Sequence, residues 1–179
     1  MSDSLLRYVP QAEGHVSPFG QAVDAMHVSV TSSDGNLYAE MNGWYAVRVS
    51  IAPGHAERQN SEELEAALTR LARLLFVERT REYYRLMEVH LQPNPLSLRR
   101  LRDHLETSVQ DAPVSGTAAG GQVEVASVGM RHFVVTLAPG VGASLGSEGL
   151  SSAVTTAANA MVAEWLVVLA KYKQERWER

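Results

Sequence analysis

Hydrophobic and polar positions alternate along His27–Ser32, with Val28 and Val30 on one side. They alternate again through Leu37–Met41, and then through Tyr45–Ile51, where Tyr45, Val47, Val49 and Ile51 share a face opposite Arg48 and Ser50. A period of two is the mark of strands with one buried face. Asp34-Gly35 and Asn42-Gly43 separate the runs, and such pairs suit two-residue type I′ hairpin turns. A three-stranded antiparallel meander is therefore predicted, closed by Pro53-Gly54. From Ser61 the period changes to that of a helix, with Leu64, Leu68, Leu71 and Leu75 in one stripe. Ser61 is the expected N-cap, and Glu62 and Glu63 suit the positive end of the helix dipole. The helix is expected to reach about Leu91, because Pro93 must stop it.

Asn94-Pro95 predicts the start of another helix, with Leu98, Leu101, Leu105 and Val109 as its stripe. Residues 113–120 read as a small-residue linker or a weak edge strand. A second meander follows, with Val123 and Val125, a turn at Gly129, then Phe133, Val135 and Leu137. Val134 on the opposite side predicts cover on both faces of this sheet. From Ser147 a second helix carries Leu150, Val154, Ala157, Met161, Trp165 and Val168 on one face. Its remaining Ala, Val and Thr positions predict burial nearly all round. Residues 1–25, with Pro10, Gly14, Pro18 and Gly20, read as an irregular lead-in holding one short helical turn from Phe19 to Ala25.

The two meanders are copies. Gly121–Gly140 aligns without a gap on Gly35–Gly54, shifted by 86 positions. Gly35 meets Gly121, Gly43 meets Gly129, and Ala52-Pro53-Gly54 meets Ala138-Pro139-Gly140. The register runs on into Ser61-Glu62 and Ser147-Glu148. A repeat of this kind decides architecture. The expected fold is α+β: two units, each an antiparallel meander followed by a long helix, spanning 26–92 and 94–179. Each is too small to bury much core alone, so the two are expected to pack together.

Composition narrows the function. A net charge of −4 favours solubility over nucleic-acid binding. The chain has no cysteine, which excludes disulfides and thiolate chemistry. The first residues lack a basic and apolar leader, and the run Ala160–Ala170 is short and broken by Glu164, so a cytoplasmic protein with no membrane partner is expected.

The second unit resembles the YbaB/EbfC family of small bacterial nucleoid-associated proteins. The resemblance rests on Ala118-Ala119-Gly120-Gly121 entering a meander, then Gly129, Val135, Leu137 and Pro139, then Leu150 and Ala157-Ala158-Asn159-Ala160. It covers 96–170. The first unit looks like a diverged copy lacking the Ala-Asn motif. The resemblance implies a non-enzymatic binding or assembly protein in which two units in one chain stand in for a homodimer, an intrachain pseudo-dimer. It implies weak, sequence-independent DNA binding, or, as in relatives from actinobacterial type VII secretion loci, a protein-interaction or chaperone-like accessory role. The chain has only two lysines, Lys171 and Lys173, where the family commonly carries more, and it lacks the family's Met/Gln-rich leading helix.

No catalytic constellation stands out. His15, His27, His55, His90, His104 and His132 are scattered, and none forms an HxxxH or HExxH pair. Gly116, Gly120 and Gly121 precede a strand and not a helix, so they make no phosphate cradle. Ser144, Ser147, Ser151 and Ser152 lack a nucleophile elbow. No cofactor or metal is expected. The arginines Arg99, Arg100 and Arg102, with Arg81 and Arg85, are the candidate phosphate or partner contacts, set among Glu78, Glu82, Glu88, Asp103 and Glu106. Trp177 is the candidate docking anchor. A homo-oligomer is compatible with all of this.

Overall fold

A computed structural model describes residues 17–91, 109 and 111–177, without the side chains of 173 and 175–177. The Arg99, Arg100 and Arg102 candidates, the helix expected from Asn94 and the side chain of Trp177 lie outside the described residues. The element order is α1 (Pro18–Asp24), β1 (His27–Thr31), β2 (Leu37–Asn42), β3 (Ala46–Ile51), α2 (His55–Arg58), α3 (Ser61–Leu91), β4 (Pro113–Ala118), a 3-10 turn (Ala119–Gly121), β5 (Val123–Val128), β6 (His132–Leu137) and α4 (Val141–Trp177). The fold is α+β. Its strands form two antiparallel three-stranded sheets, ordered β1-β2-β3 and β4-β5-β6.

The strand expectations follow from side-chain alternation, and the burial of β6 repeats it residue by residue, with Phe133, Val135 and Leu137 inside. Residues 113–120 are an edge strand and a turn, not a linker. The short helix α1 adds more than a lead-in: Phe19 and Val23 are core residues, and Ser17 caps the helix by accepting from the Gly20 amide.

Each long helix serves both sheets. The helix α3 packs on β1 and β2 and reaches β6, while α4 packs on β4 and β5 and reaches β3. One continuous core results, running from Phe19 through Leu68 and Val135 to Leu169. Burying a side chain of this size contributes roughly 1.5–3 kcal/mol, so the shared core binds the two sheets into one body. By length and composition α4 could cross a membrane over Val141–Tyr172, but here its apolar face is spent on the two sheets.

Several expectations need correction. The first hairpin is not a two-residue type I′ turn. Among its residues only Gly35 has positive φ, and the loop closes with Gly35 N donating to Ser32 O and Ser32 N donating to Leu37 O. Asp34 stays out of the left-handed region because its carboxylate is the hub of the loop, accepting from Ser32 Oγ at 2.5 Å and from Asn36 N at 3.2 Å. At Asn42-Gly43 only the glycine has positive φ, and residues 43–45 make the connection. The type I′ geometry appears instead at Gly129-Met130, both left-handed, with Arg131 N donating to Val128 O. A methionine there costs of order 1–3 kcal/mol, and burial of its side chain in the core offsets that.

Asn60, not Ser61, caps α3: its Oδ1 accepts from the Glu63 amide at 2.8 Å. Ser61 Oγ is engaged elsewhere, donating to Ala138 O and accepting from Gly140 N. Val134 is half exposed, so its sheet is covered on one face only. Nor is α4 buried all round, because Glu148, Ser152, Thr156, Ala160, Ala163 and Val167 form an exposed stripe. The helix begins at Val141, earlier than expected, and breaks at Gly146 (φ 67) just before Ser147.

Candidate interaction surfaces

An edge strand leaves alternate N–H and C=O groups without a ladder partner, and buried ones must find another. The outward groups of β3 are met by polar side chains of α4. Ile51 N donates to Ser151 Oγ at 2.9 Å, Val49 N to Thr155 Oγ1 at 2.9 Å, and Val47 N to Asn159 Oδ1 at 3.0 Å. Asn159 Nδ2 returns two bonds of 2.8 Å, to Val47 O and Thr155 O, so its amide orientation is fixed by its neighbours. The outward groups of β6 are met the same way from α3. Leu137 N donates to Glu65 Oε1 at 2.6 Å, Val135 N to Thr69 Oγ1 at 3.0 Å, and Arg73 Nη2 donates to Phe133 O at 3.4 Å. Every partner in the second set lies 86 positions from its counterpart in the first, as do the helix residues that meet them.

This ladder was not singled out from the sequence. Its signal is there: Ser147, Ser151, Thr155 and Asn159 recur at i,i+4 in a helix otherwise rich in Ala and Val. A polar stripe inside an apolar helix needs a hydrogen-bonding partner on the facing element.

Above the ladder, beside β3, runs a groove of about 810 Å³ lined by Arg48, Ser50, Pro53, Glu57, Glu148 and Ser152, among others. Glu57 and Ser147, near the helix start, are committed to each other. Glu57 accepts from Ser147 N at 3.0 Å and from Ser147 Oγ at 2.7 Å, while Ser147 Oγ accepts from Ala56 N. These bonds from Ser147 hold the Glu57 carboxyl below the usual carboxylate range. Glu57 thus supplies the negative charge at the start of the main run of α4. Nearby, Asp34 is also held low, by Asn36 and Ser32, and stands 3.9 Å from Nε2 of the buried His55. Among the described residues no group of three His, Asp or Glu side chains is placed to hold a metal.

The arginines of α3 are largely engaged. Arg81 pairs with Glu78 at 2.8 Å and Arg85 with Glu82 at 2.6 Å. Arg79 is buried, lying 4.2 Å over the ring of Tyr45 and 4.8 Å over that of Tyr83, with Nη2 donating to Trp44 O. Its Nε has no hydrogen-bond partner among the described residues. Tyr83, interleaved with these arginines, is partly buried against the core and not an exposed stacking platform: it packs edge-on against Phe19, and burial pushes its phenol upward. A small apolar cavity of about 50 Å³ lies where the sheets meet, beside Met41, Phe76, Phe133 and Met161. Comparison with protein-family models, with curated proteins and with solved structures finds no match to this chain.

Proposed function

We propose that this chain is a non-enzymatic, YbaB-like binding and assembly protein whose two units act as an intrachain pseudo-dimer. The observation that carries this is the reciprocal capping of β3 by α4 and of β6 by α3, with equivalent bonds 86 positions apart. Each unit lends its helix to the other's open edge, which is what two subunits of a symmetric dimer would do. The non-enzymatic part is supported by the groove: Ser147, Ser151, Thr155, Asn159 and Glu57 all spend their polar atoms on the fold.

A protein partner is the better reading of what it binds. Arg73, Arg79, Arg81 and Arg85 are each drawn to a carbonyl, a ring or a carboxylate, which leaves them poor phosphate contacts. Exposed apolar side chains, Leu74 and Val77 on α3, suit a protein surface. DNA binding through Arg99, Arg100 and Arg102 would be weak. Three phosphate contacts imply a slope of log K against log salt of about −3. Fluorescence anisotropy with a labelled duplex over a salt series, together with co-purification with and without nuclease, tests this. The expected result is duplex binding that disappears near physiological salt, and a protein that stays bound after nuclease. Tight binding that survives physiological salt and is lost in an Arg99→Ala/Arg100→Ala/Arg102→Ala variant would replace the protein reading with a nucleoid one.

A further inference from the structure

The two sheets have four edges, and three of them have outward backbone groups met by side chains of a long helix. The edges β3 and β6 carry the side-chain caps described above. On β4 the outward positions are Pro113, Ser115 and Thr117, because Gly129 N donates to Ala112 O and sets the even-numbered residues toward β5. Pro113 has no N–H, and Ser115 N donates to Glu164 Oε2 at 2.6 Å. Gly116 presses β4 onto α4: a Cβ there would stand 2.1 Å from Ala157 O and 2.4 Å from Met161 N.

The corresponding edge of the first sheet is β1, and among the described residues it is open. Ser32 N donates to Leu37 O and Gly43 N to Met26 O, so Val28 and Val30 bond to β2 and His27, Ser29 and Thr31 point outward. All three are exposed. Among the described residues nothing meets their outward backbone groups. The residues for a cap are present. Ser29 and Glu78 lie 86 positions before Ser115 and Glu164, yet Glu78 is held by Arg81 at 2.8 and 3.0 Å. The cause is steric. Val30 stands where β4 has Gly116, and Leu71 and Leu74 stand where α4 has Ala157 and Ala160. These larger side chains leave β1 seated less closely on α3 than β4 is on α4, and Leu74 is left half exposed on the flank that the alignment places beside β1.

We propose that β1 is a homodimerisation edge, on which two copies of the chain pair their β1 strands antiparallel about a twofold axis at Ser29. Natural proteins seal or charge an edge that is not used. This one has no Asp, Glu, Lys, Arg or proline across His27–Thr31, and no cap among the described residues. A second copy is the occupant the strand fits. With Ser29 opposite Ser29, His27 meets Thr31 and every outward N–H faces an outward C=O. Val28 then stands opposite Val30, so the apolar face of one sheet continues into the next, over Leu74. The inference rests on the edge geometry and not on the choice between a protein and a DNA partner, so either outcome of the tests above leaves it standing.

The test is the solution mass of the full 19.6 kDa chain over a concentration series. A reversible shift toward twice that mass is expected. Ser29→Lys sets like charges face to face at the twofold and should restore the monomer with its circular dichroism unchanged, since the side chain lies on the solvent face. Ser29→Glu should do the same alone. Mixing the Lys and Glu variants should recover the dimer, a rescue that only self-pairing at this residue explains. The chain has no cysteine, so Ser29→Cys gives an independent readout: opposed residues sit about 5.5 Å apart at Cα, within disulfide range, and should cross-link under mild oxidation. A wild-type chain that stays monomeric, or a dimer indifferent to both charge variants, overturns the proposal.

Discussion

Gly116 is where the close seating of β4 on α4 can be broken by one methyl group. In Gly116→Ala the new Cβ would meet Ala157 O at 2.1 Å and Met161 N at 2.4 Å, with Ala160 Cβ at 2.8 Å. The first two are helix backbone atoms, so no rotamer change relieves the clash, and strand and helix must separate by about an ångström. Overpacking of this kind costs typically 1–3 kcal/mol, and a backbone obstacle places it at the upper end, near 3 kcal/mol. Separation also lengthens the bond from Ser115 N to Glu164, now 2.6 Å, which adds to the loss. For a chain of this length 1 kcal/mol corresponds to about 2–4 °C in Tm, so thermal unfolding should fall by roughly 6–12 °C. Hydrogen exchange should show the Ser115 amide losing protection more than its neighbours. A Tm within about 2 °C of wild type would refute the reasoning, because it would mean that β4 does not rest on α4 as closely as the geometry requires.

Other substitutions test other parts of the fold. Asn159→Ala strands Val47 N and Val47 O on a partly buried edge and should cost about 2–4 kcal/mol in urea unfolding; a loss below about 1 kcal/mol would show that water replaces the cap. Glu57→Gln should change the pH dependence of stability. The Glu57 carboxyl is depressed in the folded state, so its contribution is present above the ordinary carboxylate range and is lost as pH falls through the depressed value. Tm measured from about pH 6 down to pH 2 should therefore fall less steeply in the variant, and an unchanged slope would remove Glu57 as the charged cap. Arg79→Met removes a buried guanidinium that has no carboxylate partner among the described residues, and should be neutral or stabilising; a loss above about 2 kcal/mol would mean that the stacking on Tyr45 and Tyr83 outweighs the cost of burying the charge. Val135→Asp puts a carboxylate in the core and should unfold the chain.

The strands were legible because each buries one face, and alternation records that directly in Val123, Val125, Phe133, Val135 and Leu137. That a helix follows the first meander was legible from the leucine stripe of α3, which the structure describes through Leu91. What was not legible depends on tertiary partners. Asn60 and Ser61 are both good caps, and only the position of Ala138 and Gly140 decides that Ser61 turns away. Beyond Glu148 the exposed stripe of α4 is built from Ala, Ser, Thr and Val, small residues that a buried face also accepts, so composition mistook it for core. The arginines were visible as a cluster, but their pairing with Glu78 and Glu82 at i,i+3 is decided by rotamer and not by spacing alone. The edge caps required knowing that α4 crosses to the other sheet, which no local period encodes.

The differences between the repeats are as informative as their likeness. In a homodimer of identical subunits every surface occurs twice, and no edge can be sealed on one unit and left open on the other. Joining two units in one chain removes that constraint. Here Gly116, Ala157 and Ala160 let β4 sink onto α4, where Glu164 closes it. At the matching positions Val30, Leu71 and Leu74 leave β1 seated less closely on α3, and Glu78 is paired with Arg81. The two helices have diverged in step. Facing a sealed edge, α4 is small and apolar, whereas α3, beside the open one, is charged on its solvent face and carries exposed Leu74 and Val77. Under the two-unit reading, then, the interior interface is the part whose hydrogen-bond pattern recurs in both units, and the first unit's outer flank is the part in which they differ.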